Sequence, residues 1–168
     1  ALALQGAVTG TLAATATTGD ITDSDTLTVS GASVFTLGAD GSNIILDSAA
    51  NAFSGAVTLK AGSSGSQTFG NIVFVDSGAI DFDSAASADG DLFLDGGTDN
   101  TVGGSLSVTA TAGGITDSAT IAVTGDLTLN DVATAGITLD TLEADANVIL
   151  TAAGSTAITN DAALALQG

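Results

Sequence analysis

Nineteen carboxylates and a single lysine, Lys60, are the only charged side chains of this sequence, which has no histidine, cysteine, arginine or tyrosine. Acid–base and nucleophilic catalysis need a group that takes and returns a proton, or one activated by a neighbour. What remains is carboxylate chemistry: a pair of acids across a glycosidic bond, or the holding of a hard cation. The densest run is DFDSAASADGDLFLDGGTDN, Asp81 to Asn100. Asp81 and Asp83 stand two apart, on one face of a strand, a spacing compatible with glycoside hydrolysis but shared by any solvated strand. Calcium takes several oxygen ligands, and Asp81, Asp83, Asp89, Asp91, Asp95 and Asp99 are the candidate ligands. The run meets neither the EF-hand spacing nor that of the glycine-rich nonapeptide repeats, and aspartate is also a good turn residue and solubiliser. Lys60, followed by AGSSGS, reads as a solvated lysine at a loop edge. The expectation is no enzyme and no cofactor, with calcium as the alternative.

Composition removes further classes. The net charge is −18, and one lysine cannot displace the counterions of a nucleic acid or bind an anionic membrane surface. No apolar run is long enough to span a bilayer as a helix, so membrane insertion is not expected. Apolar residues still make up 45% of the chain, enough for a packed core.

The elements that must carry these side chains are strands. Apolar residues alternate by two: Leu27 and Val29 against Thr26, Thr28 and Ser30, and Ile80 and Phe82 against Asp81 and Asp83. Short alternating segments begin at Leu12, Val34, Val57, Leu106, Leu127 and Val148, at spacings of 22, 23, 49, 21 and 21 residues, with the 49 read as two steps. Larger repeats contain this one. Ala7 to Gly31 matches Thr101 to Gly125 at 14 of 25 positions, an offset of 94. The hexapeptide ALALQG occupies Ala1 to Gly6 and again Ala163 to Gly168, an offset of 162. The pattern predicts one segment over residues 1–168, with sub-repeats at about 11–104 and 105–168 continuing into a next unit, as a window on a tandem array. A period near 23 residues built only of strand-length pieces predicts an all-β fold, a parallel β-solenoid of about seven coils per 162 residues. At about 4.8 Å per coil the unit advances roughly 34 Å.

The stretches GDITDSDTLTVSG (Gly19 to Gly31), IILDSAANAFSGAVTL (Ile44 to Leu59) and GGITDSATIAVTG (Gly113 to Gly125) resemble the repeats of filamentous-haemagglutinin-type giant surface proteins. The resemblance implies a right-handed parallel β-helix, secretion, and a cell-surface adhesin or filament. It carries over no ligand-binding residue.

The expected function is therefore structural: an extracellular filament or adhesin stalk, stacking end to end on copies of itself. The alternative is an adhesive module that binds a glycan or a partner cell, and a β-helical carbohydrate enzyme comes third. Two strands, NIILD and NIVFVD, are apolar at both parities, so one set must point away from the core. Ile45, Val73, Val75 and Phe93 are the candidate outward set, available for lateral contact between filaments. All six phenylalanines fall between Phe35 and Phe93, which also fits a wider core there, with AGSSGSQTFG as a covering loop.

Overall fold

The computed structural model describes residues 1–62, 67–161 and 165–167. Among these residues there are nineteen strands and no helix, hence no helix able to cross a membrane. Every strand pairing is parallel. The chain winds between two sheets that enclose one core, a β-solenoid of about seven coils.

The first sheet stacks Leu2–Val8, Ile21–Val29, Ile44–Leu46, Ile72–Asp76, Leu106–Ala110, Leu127–Asp131, Asn147–Ala152 and Ala165–Gln167 in chain order, with Ala52–Phe53 also paired to Ile21–Val29. The second contains Leu12–Ala16, Ser33–Leu37, Val57–Ala61, Asp91–Asp95, Ile80–Phe82, Ile115–Asp117 and Ile137–Ala144, with Thr156–Asn160 paired to the last, and two shorter strands, Ile121–Val123 and Thr101–Val102. Along the first sheet each coil adds one strand, yet the coils hold 19, 23, 28, 34, 21, 21 and 18 residues between register partners from Leu2 to Leu166.

Alternation sets the core. Ile21, Ile44, Ile72, Leu106, Leu127 and Val148 lie in register and are fully buried, a continuous aliphatic column up the first sheet. In the 28- and 34-residue coils the extra girth is filled by phenylalanine. Phe35, Phe53, Phe69, Phe74 and Phe82 are all buried, with Phe53 stacked on Phe74 at 5.3 Å and edge-on to Phe35 at 6.0 Å. Of the six, only Phe93 takes an outward position. Within AGSSGSQTFG, Phe69 is buried and bridges to Val102, while Ser63 to Ser66 lie outside the described residues.

The six alternating segments are all strands, but they do not form one ladder. Those at 12, 34 and 57 belong to the second sheet and those at 106, 127 and 148 to the first. The 49-residue interval thus carries the chain from one sheet to the other rather than through two whole coils. The same holds for the 94-residue duplication. Leu12–Ala16 on the second sheet corresponds to Leu106–Ala110 on the first, and Ile21 to Asp23 on the first to Ile115–Asp117 on the second. Residue alternation alone could not show this, because it reports facing but not which sheet a strand joins.

Candidate functional site

Four of the six candidate carboxylates, Asp81, Asp83, Asp91 and Asp95, are bonded to donors of the chain. Asp81 accepts from the hydroxyls of Thr116 (2.9 Å) and Ser118 (2.6 Å), and Asp83 from the Ser84 amide. Asp91 is buried and accepts from the amides of Ser87 and Ala88 and the Ser87 hydroxyl. Burial raises its pKa, but those three donors outweigh it and hold the carboxyl below the ordinary range. Asp95 pairs with Lys60, and Asp89 and Asp99 are exposed in turns. Asp81 and Asp91 stand on adjacent strands in register. Among the described residues no three acidic side chains converge as a metal would require. Lys60 lies within the strand Val57–Ala61, half-buried against Asp95 on the next strand, and not at a loop edge.

What the polar side chains do instead is tie one coil to the next. The residues one place ahead of Ile21, Ile44, Ile72 and Leu106 on the first sheet form a ladder. Asn43 donates its amide (2.7 Å) and Nδ2 (3.1 Å) to Asp20 Oδ1; the Asn71 amide donates to Asn43 Oδ1 at 2.7 Å; the Ser105 amide donates to Asn71 Oδ1 at 2.9 Å. Asp126 accepts from Asn147 in the same way. A parallel coil leaves these corner amides without a strand partner, so a side-chain oxygen supplies one. Replacing Asn71 by alanine leaves the Ser105 amide to water and should cost about 1 kcal/mol, while Asn71→Asp, which keeps the acceptor, should recover most of it at neutral pH. Equal denaturation midpoints for the alanine variant and the wild type would show that the ladder is idle.

A second device is a two-oxygen clamp. Asp23 accepts the amides of Asp47 (3.1 Å) and Ser48 (3.0 Å), one on each oxygen, and Asp117 accepts those of Asp140 and Thr141, both at 2.9 Å. Asp23 and Asp117 are the same position of the duplicated ITDS, so the duplication carries a working part to the other sheet. Asn51, fully buried, completes the first clamp: its Nδ2 donates to Asp23 at 2.6 Å and its Oδ1 accepts from the Leu27 amide at 2.8 Å. Asn100, buried with φ +53°, accepts from the Leu94 amide and donates to the Asp83 carbonyl. The signal for the ladder was in the sequence, as an Asp, Asn or Ser ahead of Ile, Leu or Val at positions 20, 43, 71, 105, 126 and 147.

Asp76 and Asp131 sit at inward positions, 3% and 1% exposed; Asp76 accepts from the Phe53 amide at 2.8 Å and the Ser77 amide at 2.7 Å. Burial pushes its carboxyl above the ordinary range, and the nearby Asp89 adds to the push; the amides of Phe53, Ser77 and Gly78 pull back without prevailing. A raised native pKa means that the folded chain binds the proton more tightly, so the contribution of Asp76 to stability falls as pH rises from the ordinary carboxylate value through the native one. Stability of Asp76→Asn relative to the wild type should therefore improve as pH rises from about 3 to about 7. Denaturation midpoints at both pH values check this, and a constant difference would refute it.

The outward side chains make two further surfaces. On the first sheet Ile45, Val73, Ser107, Thr128 and Ile149 follow one another in register, and Val75, Thr109, Asn130 and Thr151 form a second column. Ile45 and Val73 are neighbours in this face and Val75 is its most sheltered member at 8% exposure. A groove of about 370 Å³ runs along it, between the first column and Asn71, Ser105 and Asp126 of the ladder. Phe93 stands apart, on the outer side of the second sheet in register with Thr58 and Val34. The structure thus brings three of the four candidate contact residues together and places the fourth on the other sheet.

Neither a curated protein nor a solved structure matches the chain. A family described as repeats of unknown function (DUF5649) matches residues 1–60 and 69–146. That span takes in both ITDS clamps and most of the corner ladder. A repeat β-helical protein is what fold and match agree on, and the chain belongs to this family of repeats, DUF5649.

Proposed function

We propose that the chain is a length of a structural extracellular filament or adhesin stalk, of the filamentous-haemagglutinin type, built from tandem copies of a 162-residue unit. The observation that supports it most is the position of ALALQG. Leu2 to Gly6 of the first copy lie in the first strand of the first sheet and Ala165–Gln167 of the second copy form its eighth, so the two copies stand seven strands apart on one sheet, with 164 residues between the register partners Leu2 and Leu166 against a repeat of 162. A further unit would extend the same sheet.

Its mechanical logic is additive. Each coil brings its own backbone hydrogen bonds, its slice of core and its corner bonds to the next coil, so rigidity grows with repeat number. The stalk is passive, neither enzyme nor calcium-dependent scaffold, and its partner along the axis is another copy of itself. The test is the mass of the fully denatured native chain, read beside electron micrographs of the undenatured material. A chain of many units forming long thin fibres supports the reading. Compact particles of a single unit would overturn it. The adhesive alternative draws on the groove along the first sheet, and a glycan array on the same material distinguishes the two.

A further inference from the structure

The carboxylates are not spread evenly over the surface. From the strand Ile72–Asp76 to Asn147–Ala152, the eight outward positions of the first sheet carry no charge, on a chain of net charge −18. The acids lie instead in turns, clamps and corners, at inward strand positions, and on the second sheet at strand positions such as Asp81, Asp140 and Glu143. The duplication repeats this face on the other sheet: Ala13, Thr15, Val34 and Thr36 correspond, at an offset of 94, to Ser107, Thr109, Thr128 and Asn130. The second face continues through Thr58, Lys60, Phe93 and Asp95. From Leu12–Ala16 to Asp91–Asp95 its two outward charges are Lys60 and Asp95, which neutralise each other across adjacent strands; the next strand, Ile80–Phe82, carries Asp81. The sole cation of the chain is thus placed where it cancels the outward carboxylate of this stretch.

We propose that these two faces, each of zero net charge, are lateral docking surfaces for a second copy of the chain, the first-sheet face of one filament lying on the second-sheet face of its neighbour. Elsewhere on the surface, close approach of two copies brings carboxylates together at a cost that salt only screens. On these faces side chains are mostly short, hydroxylic or aliphatic, and two flat arrays can meet without that cost. The faces recur with the unit, so a second array of the same period matches patch to patch. One patch is small, on the order of 300 Å² from strand spacing and residue rise, below the roughly 800 Å² per partner of a stable pair. Single units therefore associate weakly, and arrays hold through many weak contacts at once. With a face on each sheet, a filament takes two neighbours, and the product is a ribbon rather than a closed pair.

The proposal rests on the filament reading, and the experiment separates them. Native filaments are followed by small-angle scattering and electron microscopy as NaCl rises from low salt to about 0.5 M, where the Debye length is roughly 4–5 Å. Mass per unit length should rise at least twofold for the wild type and stay at one solenoid for Thr128→Asp, with unchanged circular dichroism. Lys60→Gln, which leaves Asp95 unbalanced, should pair less, and the double variant Lys60→Gln/Asp95→Asn should recover. Single fibres that never pair at any salt overturn this inference and leave the filament reading standing. Absence of fibres and of pairs overturns both. Pairing of Thr128→Asp equal to wild type, or failure of the double variant to recover, removes the faces as the cause. Loss of neutral oligosaccharide binding in Thr128→Asp, with a wild type that never pairs, gives the face to a glycan instead.

Discussion

Truncating Phe74 to alanine should destabilise the fold by about 3–5 kcal/mol, the range for removing a buried aromatic ring from a core that cannot collapse around the space. Phe74 is 1% exposed and stacked on Phe53, which in turn meets Phe35 edge-on. Phe53 and Phe74 lie in the two widest coils, where the wall is held open by backbone pairing above and below, so the gap stays open. Urea unfolding gives the loss. Hydrogen exchange shows where it falls, since a solenoid need not unfold in one step. Protection should drop first around Ile44–Leu46 and Ile72–Asp76 and persist in the strands from Leu127 onward. Phe93→Ala, at an outward position, should cost well under half as much. Equal losses at Phe74 and Phe93 would mean that the stacked rings are not the interior support described above.

The second large effect is expected at Gly136. Its φ is +97°, a backbone region costly to any residue with a side chain. A Cβ there would also run into the carbonyl oxygen of Ser155 on the next coil. The same residue is bonded at both ends: its amide donates to Asp131 Oδ2 at 2.6 Å and its carbonyl accepts from Ile115 at 3.1 Å. Gly136→Ala should cost about 3 kcal/mol, from the left-handed strain and the displaced turn together, with exchange accelerated from Ile115 to Thr156. Gly10→Ala, where a Cβ meets nothing, is the matched control. If the two substitutions cost the same, the turn at Gly136 is more plastic than its contacts indicate.

Facing was legible in the sequence and placement was not. Leu27, Val29, Ile80, Phe82, Leu92 and Leu94 all point inward as alternation requires, because a strand next to a core has only two sides to choose from. The count of about seven coils agrees with the period near 23 residues, although each coil sends a hydrophobic run to both sheets and the repeating segments change sheet midway. The sheet that each run joins depends on how many residues the turns consume, and the 28- and 34-residue coils consume them in stretches with little alternation. In the acidic run from Asp81 to Asn100, Asp81, Asp91 and Asp95 each turn to a donor, Thr116, Ser87 or Lys60. Those donors are 35, 4 and 35 residues away, and only the winding of the chain brings the distant ones close. The corner ladder was readable in hindsight, as a polar residue recurring one place ahead of the inward aliphatic residues at 21, 44, 72, 106, 127 and 148.

Coils of 18 and of 34 residues each add one strand to the first sheet. Chain length and fibre length are therefore separate inheritances. An insertion in a turn thickens the shaft at one level and leaves every later level at its former height. A lineage can rewrite, lengthen or trim its turns without shifting the phase of whatever the shaft displays further along. The molecule is in this sense a ruler graduated in windings, on which insertions and deletions are silent, and only the gain or loss of a whole winding moves the marks.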